Sequence, residues 1–200
     1  MSDEPRSTVR RVPWTDGRWT TAPLAAETDG EDLRVTAVEG SDAWRVTSYG
    51  FVRDTEHALV APLASGRAVE VTFRADLPEQ FDQAGVFVRV DAEHWVKAGL
   101  ERSDGVLQLG AVVTAGGSDW SVAPADEWSG RDVTVRASRT GDALIIRAGI
   151  AGEAMRFVRV VPLDPAAEVE AGPFVCAPTR AGLTVRLLRW AVGEGDASLH

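Results

Sequence analysis

Pairs of turn-forming residues punctuate this chain roughly every eight to twelve positions. They include Asp16-Gly17, Asp29-Gly30, Glu39-Gly40, Ser65-Gly66, Asp104-Gly105, Gly116-Gly117, Ser129-Gly130, Gly141-Asp142, Ala151-Gly152 and Ala181-Gly182. Such spacing leaves room for short strands and little for helices. No stretch of a dozen residues free of Gly and Pro carries apolar residues at i, i+3, i+4 and i+7. Between the turns the apolar residues alternate. Ala84, Val86, Val88 and Val90 share one face, and Gln83, Gly85, Phe87 and Arg89 the other. Val96, Ala98 and Leu100 oppose Trp95, Lys97, Gly99 and Glu101, while Leu107, Leu109, Ala111 and Val113 oppose Gln108, Gly110, Val112 and Thr114. The same period holds in Val69 to Arg74 and in Val133 to Ser138. A period of two with one apolar face is what a sheet packed on a second sheet requires. The expected fold is all-β, a two-sheet antiparallel sandwich.

Composition narrows the class. At 44% hydrophobic and 26% charged, 200 residues build one core, with neither a repeat nor a linker to split it. Residues 1–12 read as a flexible lead-in, 13–193 as the sandwich and 194–200 as a flexible tail. No apolar run approaches the roughly 18 residues of a membrane span, and the start lacks the order of a signal peptide, so a cytoplasmic protein without membrane partners is expected. A net charge of −9 argues against a nucleic-acid partner. The single cysteine, Cys176, excludes an internal disulfide and a multi-cysteine zinc site, and reads as a small buried hydrophobe. His57, His94 and His200 lack ligand spacing, so no metal triad and no cofactor is expected; Asp82 and Asp91 are available to calcium but form no ordered run, which leaves a calcium site open. There is no Gly-x-Ser-x-Gly elbow and no phosphate loop.

The non-core faces are unusual for a merely solvated sheet. They gather aromatics (Phe87, Trp95), glycines (Gly85, Gly99, Gly110) and charge (Arg89, Lys97, Glu101). Of 21 basic residues, Lys97 alone is lysine. An aromatic plate for a sugar ring beside groups that bind hydroxyls is the composition of a carbohydrate site, and glycine admits close approach. Each residue taken singly is also what any wet sheet exposes. Two tryptophans near Gly116-Gly117, Trp120 and Trp128, read equally as a binding rim or as plugs for the sandwich end. A glycosidase needs two carboxyls at a set separation. Glu101 has no acidic neighbour at i±2, and a cross-strand partner such as Glu70 is unreadable from sequence.

Four ordered motifs carry a resemblance: Trp44 to Asp54 (WRVTSYGFVRD), Phe81 to Asp91 (FDQAGVFVRVD), Trp95 to Glu101 (WVKAGLE), and Val112 to Thr114 leading into Ser118-Asp119-Trp120-Ser121. From about Trp14 to Val192 the chain resembles a bacterial and fungal family of unknown function related to a yeast regulation-of-enolase protein. That family falls in the concanavalin A-like lectin/glucanase superfamily. The resemblance implies a jelly roll and places Gln83, Arg89, Trp95, Lys97 and Glu101 at motif positions on adjacent strands. It transfers no catalytic residue, and the superfamily's glucanase cluster is missing.

The leading expectation is a non-catalytic module binding a carbohydrate or similar polyhydroxylated ligand on the concave sheet face. Trp95 would stack, walled by Trp120; Lys97 and Arg89 would donate hydrogen bonds; Glu101 and Gln83 would accept them. Two alternatives stand beside it. One is a hydrolase of a sugar derivative with Glu101 as acid or base. The other is a regulatory domain whose sheet face binds a protein partner.

Overall fold

The computed structural model describes residues 9–199. In chain order the strands are β1 (Arg10–Arg11), β2 (Arg18–Trp19), β3 (Ala25–Asp29), β4 (Asp32–Thr36), β5 (Ala43–Arg45) and β6 (Val52–Asp54). Next come β7 (His57–Pro62), β8 (Arg67–Arg74), β9 (Gln83–Arg89), β10 (His94–Ser103), β11 (Val106–Ala115) and β12 (Gly117–Pro124). The last five are β13 (Asp132–Thr140), β14 (Ala143–Ile150), β15 (Arg156–Pro162), β16 (Glu170–Cys176) and β17 (Thr184–Glu194). One sheet runs β15-β14-β13-β8-β17-β4-β3, with β1 also paired to β17. The other runs β12-β11-β10-β9-β16-β7-β2, and β5 and β6 form a separate hairpin. Every strand pairing is antiparallel. The expected sandwich is the observed fold. Among the described residues no helix is long and apolar enough to cross a membrane.

The apolar faces of the alternating segments do form the interlayer. Ala84, Val86, Val88, Val96, Ala98 and Leu100 from one sheet share a cluster with Val71, Phe73, Val133, Val135, Leu187 and Trp190 from the other. Burying such side chains supplies about 1.5–3 kcal/mol each before conformational entropy is charged against it.

Parts of both terminal segments make defined contacts with the sandwich. Residues 1–8 of the lead-in lie outside the described residues, but Arg10–Arg11 pairs with β17 and the Val12 amide donates to the Trp190 carbonyl. At the other end Asp196 accepts from Arg136 Nε at 2.9 Å and Arg147 Nε at 3.2 Å, and its amide donates to Ser138 Oγ at 2.6 Å. Two partly buried guanidiniums on β13 and β14 hold this segment, pairings across 60 and 49 residues that local sequence does not reveal.

The glycines also have a structural cause. Gly85 and Gly99 are cross-strand partners in β9 and β10. A Cβ on Gly85 would lie 2.1 Å from the Ala98 carbonyl oxygen and 2.7 Å from the Gly99 Cα. It is a neighbouring strand, not a ligand, that approaches this backbone. Gly85→Ala is therefore expected to cost about 2 kcal/mol or more, read as a lowered urea midpoint at unchanged slope.

Candidate ligand-binding site

Parity and register bring three predicted residues together. Glu101 in β10 faces Gln83 in β9, and Lys97 lies on the same side of β10, opposite Phe87 and Val112. Val112 in turn opposes Trp120 in β12. The loop expected around Trp120 is thus part of a strand, which fixes the indole beside the polar row. Lys97 Nζ donates to Gln83 Oε1 at 2.9 Å and to Asp42 Oδ1 at 2.7 Å.

Asp42 comes from a segment that lies across this face. Trp44, Tyr49, Phe51 and Arg53 follow it on the β5–β6 hairpin, which acts as a flap. Arg45 anchors the flap: its amide donates to Ser118 Oγ at 2.9 Å and its guanidinium pairs with Glu93. The turn is tight, with Val46 and Ser48 at φ of 60° and 65°. A β-branched residue in that region is strained, and backbone bonds from Val46 to Phe51 O and from Gly50 to Val46 O hold it there. Tyr49 stacks on Phe51 at 5.4 Å between centroids and meets the Trp44 edge at 5.6 Å.

Between flap and sheet is a cavity of about 250 Å³. Trp44, Tyr49, Phe51 and Trp120 wall it, while Asp42, Gln83, Lys97 and Glu101 reach it from the sheet side. A recess of about 20 Å³ beside it is floored by Gly99 and Gly110, enough for a hydroxyl-sized group.

The electrostatics follow from burial. Lys97 is only 4% exposed, and burial alone would lower its pKa. Asp42, Cys176 and Glu101 outweigh that, so the ammonium is held above its ordinary value and stays charged. Glu101 is pushed up to about 7, chiefly by burial, with Asp42 adding repulsion and Lys97 only partly compensating. Burial also drives the Cys176 thiol well up, which keeps it an inert packing residue.

Arg89 and Trp95 share the face but not the cavity. Trp95 is 7% exposed and stacks on Phe87 at 5.5 Å, within a second apolar cluster that includes Ala43, Ala58, Val60, Val112, Phe174 and Cys176. Its ring is part of the packing beneath the flap, which corrects the expected stacking plate. Arg89 lies opposite Trp95 and Glu170, and its Nε reaches the Asp91 carbonyl at 3.4 Å. Trp120, 38% exposed, lines the cavity, while Trp128 is buried as a plug. Asp82 is tied to Arg180 and Asp91 caps its own turn, and among the described residues no group of three or more His, Cys, Asp or Glu is placed to hold a metal. Glu70, the suggested carboxyl partner, is on β8 of the other sheet, paired with Arg136.

Residue reasoning missed Asp42, Trp44, Tyr49, Phe51 and Arg53 as site residues. Their signal was a cluster of aromatics without period-two alternation, in a motif noted only for its resemblance.

Residues 19–194 match a family described as "Protein of unknown function (DUF1349)". A Saccharomyces cerevisiae protein named Regulation of enolase protein 1 is 33% identical over 178 residues, 89% of this chain and 89% of that protein. The crystal structure of a functionally unknown protein from S. cerevisiae superposes with a TM-score of 0.86 at 32% identity, covering 93% of this chain and 100% of that chain. A mutant of the GH43 protein BlXynB from Bacillus licheniformis is similar in fold alone, with a TM-score of 0.71 at 10% identity, over 90% of this chain and 37% of that one.

Proposed function

The chain belongs to the DUF1349 family, and from that footing we propose that it is a binding domain holding a carbohydrate or similar polyhydroxylated molecule under its flap. The observation that carries this reading is the cavity of about 250 Å³ with aromatic walls and a convergent polar floor. Aromatic faces stack on the C–H face of a sugar ring, while Gln83, Lys97, Glu101 and Asp42 supply donors and acceptors for hydroxyls. A mostly apolar pocket with a few fixed polar groups is the general form of a small-molecule site. Ligand-dependent closure of a flap that carries exposed Tyr49 would suit a regulatory role, the kind of role for which the yeast relative is named.

The test is calorimetric titration of a glycan and metabolite panel into the wild type and Trp120→Ala. At least one polyhydroxylated ligand is expected to bind, and the variant to lose roughly tenfold or more in affinity, the scale of one lost stacking contact. A panel without any binder, or equal affinity in the variant, contradicts the reading.

One observation favours a second reading, a hydrolase. Glu101 is pushed up to about 7 by burial, so that it holds a proton on the acid side of neutrality, while a second carboxyl, Asp42, lines the same cavity. Two carboxyls reaching one cavity, one of them with its ionisation disfavoured by burial, is an arrangement from which an acid and a second carboxyl can act on a glycosidic bond. Product release from a glycoside panel, abolished in Glu101→Gln, would favour it; intact recovery of a bound ligand would favour binding alone.

A further inference from the structure

Charge on the cavity floor is unbalanced around one group. Lys97, Asp42 and Glu101 place one ammonium against two carboxyls. The ammonium is already engaged by Asp42 Oδ1 and Gln83 Oε1. Among the described residues no donor hydrogen-bonds the Glu101 carboxyl, although that carboxyl is substantially withdrawn from water and reaches the cavity. Arg53, the other cation of the lining, is on the flap with its guanidinium 5.1 Å from the Phe51 ring centroid. The charges that act on Glu101 are those of Lys97 and Asp42. An acid left this way costs free energy unless a donor, best a cation, arrives.

The walls suit a cation as well. Trp44, Tyr49, Phe51 and Trp120 present aromatic faces or edges around the same space, and ring faces attract ammonium groups. We propose that the ligand is a polyol bearing a basic amine, of the amino-sugar class, with its ammonium received by Glu101 and its hydroxyls by Gln83, Lys97 and Asp42. This rests on the binding reading above and narrows it. The ligand's ammonium supplies the partner that Glu101 lacks, and Trp120 and the flap aromatics enclose the carbon skeleton. An anionic sugar meets two carboxyls at the floor and is disfavoured.

Glucose, glucosamine and glucuronate at pH 7.5 are the probes, titrated calorimetrically into the full chain. The expected order is glucosamine at least tenfold tighter than glucose, with glucuronate weakest. Glu101→Gln, which keeps size and hydrogen-bonding ability but carries no charge, is expected to erase the preference for glucosamine over glucose. Equal affinity for glucose and glucosamine, or a preference for glucuronate, overturns the amine assignment and leaves the cavity reading standing. Retention of the preference in Glu101→Gln overturns it too. Failure of glucosamine to bind the wild type overturns the amine assignment, and a glycan and metabolite panel without any binder removes the cavity reading with it.

Discussion

Lys97→Met is expected to lower stability by about 3 kcal/mol, or roughly 6–12 °C in melting temperature for a domain of this size. The side chain is buried, and its ammonium is the shared donor to Asp42 and Gln83. Methionine matches the volume but leaves Gln83 Oε1 without its donor and the Asp42 carboxylate without its counter-charge, held only by the Ala43 amide at 2.8 Å. The same change cuts the tie between sheet and flap, so segment 42–54 should also become the first site of limited proteolysis. Asp42→Asn in the Lys97→Met background removes the orphaned charge. The double variant is therefore expected to recover a large part of the loss, a non-additivity that reports direct contact. Urea denaturation of the four proteins measures it; strict additivity would mean that Lys97 and Asp42 do not act on each other.

Glu101→Gln should move stability the other way, and only at higher pH. In the folded state Glu101 titrates at about 7 instead of the ordinary 4.5, because burial disfavours its charged form. Between those values the folded chain binds more protons than the unfolded one, so the wild type loses stability as pH rises through that window. Above it the loss is complete, at about 3 kcal/mol. Glutamine carries no charge to desolvate and escapes the loss. The two proteins are thus expected to melt together at pH 4.5, to separate through neutrality, and to differ by about 5–10 °C at pH 8.5 with the variant the more stable. Parallel melting curves across that range would show that Glu101 is not withdrawn from water. A stabilising substitution at a site group is the usual sign that the group is kept for binding rather than for folding.

The sandwich was legible because period-two alternation is a direct consequence of strand geometry, and segments such as 83–91 and 94–102 are long enough to show it. The same parity correctly put Gln83, Lys97 and Glu101 on one side of the sheet. Parity says which face a residue takes, but not what covers that face. Trp95 read as a wet plate because its cover comes from residues 40–55, about 40 positions earlier, in a hairpin held by the Arg45–Ser118 and Lys97–Asp42 contacts. Asp42 is invisible as a partner of Lys97 for the same reason. Trp120 and Trp128, alike in sequence context, divide because one falls on a strand face beside the cavity and the other under the end of the core.

Small-molecule occupancy of the space between flap and sheet is tested most directly by amide chemical-shift mapping. Titrating glucosamine into isotopically labelled protein is expected to shift amides of 42–53, 97–101 and 118–122 along a single saturable curve. Saturable shifts confined to β3, β4 and β13–β15 of the opposite sheet, with those three segments unmoved, would contradict it.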